Sequence, residues 1–282
     1  MNIVVCIKQV PDSAQIRVHP VTNTIMRQGV PTIINPYDLF ALEEALRLRD
    51  QYGGTVTVLC MGPPMAEDSL RRALGIGADQ AVLITDRRFA GSDTLATSYA
   101  LATALQKIAE DRPVDIVFTG KQTIDGDTAQ VGPGVARRLD LNQLTYVSAI
   151  DMLDRNAGEI VVRRRAEGGV QVLKTKLPCL ITMLEGTNTV RRGSIEDVLR
   201  AARADVTTWS AQDAGVEDLT LCGLKGSPTV VKRVFAPKPR AEKAEMVTIE
   251  GKQPSDIGDA VIDLIFANQP KLEADLKAAA GA

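Results

Sequence analysis

Gly120-Lys-Gln-Thr-Ile-Asp-Gly-Asp-Thr-Ala-Gln-Val-Gly-Pro133 is the stretch of this sequence best suited to chemistry. It follows the apolar run Val114–Thr119 directly, which places it at the carboxyl end of a strand. Its three glycines let backbone approach a ligand closely. It also opens a helix, whose first amides lack intrahelical partners and favour an anion. With the Thr128 hydroxyl added, the segment forms a cradle for a pyrophosphate. Two helix registers are open. Asp127 caps the helix with Gln130 reaching back, or Gly132 caps it with Pro133 at the first position. The second keeps proline out of the helix interior and is preferred. Asp125 and Asp127 would repel a phosphate at short range. They suit ribose hydroxyls, or turns bonded to their own backbone. A plain polar turn is the competing reading, and the glycine spacing matches neither a P-loop nor a GxGxxG fingerprint.

The remaining reactive residues offer less. His19 is the single histidine, and a metal centre or a Ser-His-Asp arrangement needs more than it supplies. Cys6, Cys60, Cys179 and Cys222 have no CxxC spacing, and three of them lie in apolar runs where cysteine packs as a small hydrophobe. Lys8, Lys121 and Arg163-Arg164-Arg165 could meet phosphate, but solvated faces are the commoner use of such residues. Glu43 and Glu44 are adjacent on a helix, where neighbouring side chains point in different directions.

The elements that must position the 120–133 segment alternate strand and helix. Asn2–Val10 reads as a buried first strand, Leu39–Tyr52 as an amphipathic helix closed by Gly53-Gly54, and Thr55–Met61 as a second strand. Pro64–Leu74 is a helix ended by Gly75-Ile-Gly77, Gln80–Thr85 a strand, and Asp93–Asp111 a long helix. Val114–Thr119 is the fourth strand. The spacing predicts an α/β fold with a mainly parallel sheet covered by helices on both faces. Ligands of such sheets bind beyond the carboxyl ends of the strands. From about residue 140 the strands Thr145–Leu153, Glu159–Arg165 and Val170–Lys176 lack helices between them, an antiparallel excursion with hairpin turns. Cys179–Leu184 is a further strand, and a helix runs from Ser194 to about Ala204. Residues 1–205 are expected to form the nucleotide-binding domain, and 206–282 an extended arm with a linker at Phe235–Glu245. That arm carries a last amphipathic helix, Pro254–Ala267, packing on its own domain or on a partner, and an alanine-rich tail after Ala274 that frays.

Composition bounds the function. Apolar residues at 45%, charged residues at 24% and a net charge of −2 describe an ordinary globular chain. There is no basic stripe for nucleic acid. No apolar run reaches the roughly 18 residues that insertion into a membrane requires. The strand pattern begins at once with no leader before it, and with the scattered cysteines this gives an expectation of a reduced, cytoplasmic setting.

Several stretches resemble electron-transfer flavoprotein beta subunits. They are Val4-Val-Cys-Ile-Lys-Gln-Val-Pro11, Asn35-Pro-Tyr-Asp38, Ala73-Leu-Gly-Ile-Gly-Ala-Asp79, the 120–133 segment and Arg164-Arg-Ala-Glu-Gly-Gly-Val-Gln-Val-Leu-Lys-Thr-Lys-Leu-Pro178. The resemblance covers most of residues 1–205 in order. It implies a Rossmann-like, adenine-nucleotide-binding fold and a heterodimer with a flavin-carrying alpha subunit. Asp125-Gly-Asp-Thr-Ala-Gln-Val-Gly-Pro133 looks like the electron-bifurcating branch, whose beta subunit holds FAD; the ordinary branch holds AMP. By resemblance the nucleotide contacts fall on Cys6, Asn35, Asp38, Met61, Thr123, Asp125, Gly126, Asp127, Thr128, Ala129, Gln130 and Val131, with no catalytic residue and no metal. The same resemblance implies electrons passing from NADH toward a quinone oxidoreductase and a low-potential ferredoxin or flavodoxin. The Fix-type proteins of nitrogen fixation look like the nearest relatives. Family members serving acyl-CoA dehydrogenases place a leucine about where Thr187 stands, which argues against that partner. A stand-alone ATP-binding stress-type protein is a further alternative, weakened because Thr123 occupies the second glycine position of its Gly-x-x-Gly element.

Overall fold

Six consecutive buried residues, Asn2–Ile7, make β1, the strand around which the sheet is built. Burial on both faces explains why the run is apolar throughout rather than alternating. A computed structural model describes residues 1–12, 17–18, 25–26, 31–229 and 253–280. After β1 come β2 (Gln9–Pro11), β3 (Arg17–Val18), β4 (Ile25–Met26), β5 (Thr32–Ile34) and α1 (Pro36–Tyr52). Next are β6 (Thr55–Met61), α2 (Glu67–Ile76), β7 (Gln80–Ile84), α3 (Thr94–Asp111), β8 (Ile116–Gly120) and α4 (Val131–Arg138). The antiparallel excursion is β9 (Asn142–Asp154), β10 (Glu159–Ala166) and β11 (Gly169–Lys176), followed by β12 (Cys179–Met183), α5 (Ile195–Arg203) and β13 (Thr207–Trp209).

Among the described residues, nine strands form one mixed, mostly parallel sheet in the order β11-β10-β9-β12-β8-β1-β6-β7-β13. The α/β class with a mainly parallel sheet is therefore the one found. From β1 the chain builds outward through β6 and β7, then returns to lay β8 on the other side of β1. The strand order reverses between β1 and β8, and a crevice opens at their carboxyl ends. On one face α1 and α2 bury Leu42, Leu46, Leu70 and Leu74 against Ile3, Val5 and Phe118. On the other, α3 and α4 bury Ala100, Ala104, Leu105 and Val135 against Val4, Leu59 and Val117.

Several expected boundaries move. The first strand ends at Ile7 rather than Val10, because Gln9–Pro11 pairs with β5 in a separate sheet. The helix expected at Pro64–Leu74 starts as a short 3-10 turn, Pro64–Ala66, and runs on as α2 through Gly75 to Ile76. Gly77, at φ +128, is the residue that ends it. The break expected after residue 205 falls inside the first unit, because β13 pairs in parallel with β7 and Ala211, Ala214, Val216 and Cys222 are buried with α3. The first three of those residues are separated by polar residues and glycine, so no strand or helix period marks them in the sequence. The chain instead divides into units of residues 1–235 and 236–282. In the second, α6 (Pro254–Asn268) matches the expected terminal helix, and α7 (Pro270–Ala280) occupies the tail expected to fray. Its alanines are strong helix formers. The linker expected at 235–245 and His19 lie outside the described residues. Among those residues no helix is long and apolar enough to cross a membrane.

Phe118 is fully buried in β8, at the centre of the sheet. Phe118→Ala is expected to lower the unfolding free energy by about 3–5 kcal/mol in a urea titration.

Candidate functional site at the carboxyl ends of the central strands

The crevice beside β1 and β8 is a cavity of about 300 Å³. Its floor is the strand ends, Cys6 of β1 with Lys8 just past it, and Thr119 and Gly120 of β8. One wall is the 121–132 loop and the start of α4; the other is Ser92, Asp93, Thr94 and Thr97 at the start of α3.

Nine of the twelve sequence-expected residues line this cavity: Cys6, Asp38, Met61, Thr123, Gly126, Thr128, Ala129, Gln130 and Val131. Asn35, Asp125 and Asp127 do not. Asn35 acts from behind the loop, its Nδ2 donating to the Gln122 carbonyl at 2.9 Å and its Oδ1 accepting from the Ile124 amide at 3.2 Å. Asp125 is held by Lys8, whose Nζ reaches both carboxylate oxygens at 2.8 and 2.9 Å. Asp127 accepts from Gln122 Nε2 at 2.7 Å, while its own amide donates to the Thr123 carbonyl. Of the two roles open to the aspartates, the structure puts both in contacts within the protein.

Neither helix register expected for the loop is the one found. The helix α4 starts at Val131 with Gln130 at the cap. Pro133 then sits third in the first turn, where its missing N–H still costs no helical hydrogen bond. Asp127 and Ala129 take left-handed conformations, φ +51 and +53, with Thr128 between them at negative φ. Such alternation forms the concave run of amides that binds anions, at a strain of about 1–2 kcal/mol for a residue such as alanine. Glycine is required on either side of the loop. A Cβ on Gly120 would lie 2.5 Å from Asp38 Oδ1, and one on Gly132 2.8 Å from Thr182 Cγ2. Gly126 is different: a Cβ there meets only Thr123 Oγ1, at 3.3 Å.

Asp38 fixes the floor. One carboxylate oxygen accepts from the Lys8 amide at 2.8 Å and the other from the Gly120 amide at 3.1 Å. Burial pushes its pKa up to about 7, against the pull of those hydrogen bonds. Burial also raises the neighbouring Cys6 thiol, so Cys6 is a packing residue rather than a thiolate. Burial of Asp125 raises its carboxyl, but the hydrogen bonds from Lys8 and Thr123 outweigh this and leave it below the usual range.

The α3 wall was not singled out in the sequence. Asp93 caps α3 by accepting from the Leu95 and Ala96 amides, and its other oxygen accepts from Thr229. Thr94 Oγ1 donates to Gln130 Oε1 at 2.8 Å, joining the two walls. Ser92-Asp93 has the form of a helix cap, but only the packing of α3 on α4 brings it to the cavity. Lys121 lies 5.1 and 5.9 Å from the ring centres of Tyr37 and Tyr146. The side chains of Arg163, Arg164 and Arg165 reach Asp151, Thr145 and Glu185 respectively.

Glu43 and Glu44 do turn toward a common feature, the loop after β12. Arg191 bridges Glu43 and Asp50, and Asn188 bonds Glu44 and the Phe40 carbonyl. Thr187 is engaged with the Leu184 carbonyl. The large apolar side chains of this region are Ile195, Val198 and Leu199, all exposed just past the loop, so Thr187 alone does not decide which partners the loop suits. Among the described residues no cluster of three or more His, Cys, Asp or Glu could hold a metal ion.

Residues 22–214 match the family described as the electron transfer flavoprotein domain. This chain belongs to the electron transfer flavoprotein family. Its relatives include beta subunits of that family and FixA proteins. The electron transfer flavoprotein subunit beta of Clostridium acetobutylicum is 49% identical over 233 residues, 83% of this chain and 87% of the other. Protein FixA of Azotobacter vinelandii is 63% identical over 276 residues, 98% of each chain. Protein FixA of Azorhizobium caulinodans is 72% identical over 281 residues, 99% of each. The Fix-type beta resemblance read from the sequence is thus established for this family member.

Asp38 gives the fold a pH signature. Its carboxyl titrates near 7 when folded and near 3.8 otherwise, so the folded state binds the extra proton between those values. The stability it contributes is complete below the lower value and falls as pH rises through the upper one. The unfolding free energy of wild type minus that of Asp38→Asn is expected to decline between about pH 4 and pH 7 in urea titrations and to level off above.

Proposed function

We propose that this chain is the beta subunit of a heterodimeric electron-transfer flavoprotein whose cleft holds FAD by its adenine nucleotide end. The observation that carries this reading is the convergence of Gly126, Thr128 and residues 129–131 with the start of α3 on one cavity at the strand-order reversal. That convergence suits a phosphate group. In this reading Gly126, Thr128, Ala129 and Gln130 hold the diphosphate, and Cys6, Met61 and Leu101 supply apolar contact for the nucleoside. The flavin, when bound, would supply the chemistry that takes two electrons from NADH and divides them between a quinone-side acceptor and a low-potential ferredoxin or flavodoxin. The chain's own residues position the coenzyme and set the charge around it. The bifurcating assignment rests on the resemblance of Asp125–Pro133 to that branch, and it agrees with the Fix-type relatives. Partnership with an alpha subunit rests on the beta-type relatives.

The cavity's volume favours a second reading. About 300 Å³ is at the small end for a coenzyme site, closer to the size of a nucleoside phosphate than of a whole dinucleotide. A structural AMP would fit inside it, whereas FAD must leave its flavin end at the mouth. Extraction of nucleotides from the purified heterodimer decides between them. Two FAD per heterodimer is the expected result; one FAD with one AMP would establish the second reading.

The site itself is tested by Gly126→Leu and Thr128→Phe, which fill the loop's concave side. Each is expected to release the beta-subunit nucleotide while the alpha-subunit flavin stays bound, as read from the extracted nucleotide content. Retention of both would refute the site. Ile257, Val261, Ile262 and Ile265 of α6 are partly exposed. Removal of residues 254–282 is therefore expected to weaken heterodimer assembly, seen as an earlier loss of the heterodimer peak on dilution in gel filtration.

A further inference from the structure

We infer that Lys8 is a phosphate-binding residue of this cleft, held by Asp125 until the phosphate of an adenine nucleotide takes its ammonium group. The inference rests on the nucleotide reading above and adds to it a residue that the sequence left among ordinary surface charges.

Charge around the cavity selects Lys8. Among the described residues that line it, the basic ones are Lys8 and Lys121, and the acidic ones are Asp38 and Asp93. Asp125 and Asp127 stand in the loop just behind. A phosphate entering this surround needs a cation close by, since amides alone do not offset several carboxylates. Lys121 is committed elsewhere: its side chain is 14% exposed, its Nζ lies 5.1 and 5.9 Å from the Tyr37 and Tyr146 ring centres, and Glu185 stands 3.9 Å away. Lys8 is 46% exposed, and its partner Asp125 is 34% exposed. An ion pair so open to water is weakly held, and its lysine can exchange one anion for another. The Lys8 backbone, in contrast, is fixed at the cavity floor by its amide bond to the buried Asp38. A fixed root and an exposed ammonium group let the head move from the loop carboxylate to a phosphate on the loop's concave side. The same pair neutralises Asp125 before the nucleotide arrives.

The exchange makes a prediction that a structural clamp does not. If the pair only braces the loop, removing either partner weakens nucleotide binding. If Asp125 competes with phosphate for Lys8, the two substitutions act in opposite senses. The heterodimer is stripped of nucleotide and titrated calorimetrically with FAD and, in a separate arm, with AMP. Lys8→Met is expected to weaken binding by roughly 10- to 100-fold, the worth of one hydrogen bond to a charged group, and to flatten its dependence on salt. Lys8→Arg keeps the charge and is expected to retain most of the affinity, which separates loss of charge from loss of fold. Asp125→Asn is expected to bind at least as tightly as wild type. Lys8→Met binding like wild type, or Asp125→Asn binding more weakly than wild type, would overturn the inference. Wild type binding neither nucleotide would overturn the nucleotide reading and this inference with it.

Discussion

The Asp38 carboxylate joins the two strand ends between which the sheet reverses its order. Its oxygens accept from the Lys8 amide at the end of β1 and the Gly120 amide at the end of β8. Both amides are at the point where their strands stop pairing, so they would otherwise be left without partners in a buried place. A buried carboxylate is costly unless hydrogen-bonded on both sides, and here each cost offsets the other. The contact also sets the spacing of the crevice, because Gly120 packs so closely on Tyr37 and Asp38 that no side chain fits there. The loop that leaves Gly120 must then turn outward over the cavity, where Asn35 fastens it.

A second polar cluster performs the same service on the helix side of the sheet. The Glu43 carboxylate is 5% exposed and meets the Arg191 guanidinium in a close pair that Asp50 extends. Removing Arg191 would strand a buried charge, which is the expensive way to break such a pair. Both clusters reach from α1 to segments far away in the chain, one to the cavity loop and one to the loop after β12. The helix α1 therefore positions two loops by polar contacts while its leucines hold it to the sheet. Electrostatics in the cleft follow from this arrangement. Carboxylates are present in number, but Asp38 and Asp93 each accept several amide bonds, and Asp125 and Asp127 are turned to partners within the protein.

Much of this was legible in the sequence. Short runs rich in apolar and β-branched residues give β1, β6, β8 and β12, and the longer helical stretches between them give α1 and α3. The 120–133 segment stood out because glycine, threonine and acidic residues just past a buried strand have few uses besides a turn or an anion site. Less legible was anything made by residues distant in the chain. The start of α3 gives no sign in sequence that it faces the start of α4. Gln130 at the α4 cap, rather than Asp127 or Gly132, follows from backbone conformations at Asp127 and Ala129 that neither residue type prefers. β13 is three residues long and finds its place only because β7 offers an open edge.

By itself, then, the sequence determined the class of fold, the order of most of its elements, the loop that overhangs the central cavity and the family, since those depend on local periodicity and on runs of residues read in order. Tertiary structure alone decided which charges meet, that Lys8 holds Asp125, that Glu43 and Glu44 serve one loop, and that three of the expected contacts stand outside the cavity. Hydrogen bonds and ion pairs act over about 3 Å, and no pattern along a chain fixes a distance that small between residues a hundred positions apart.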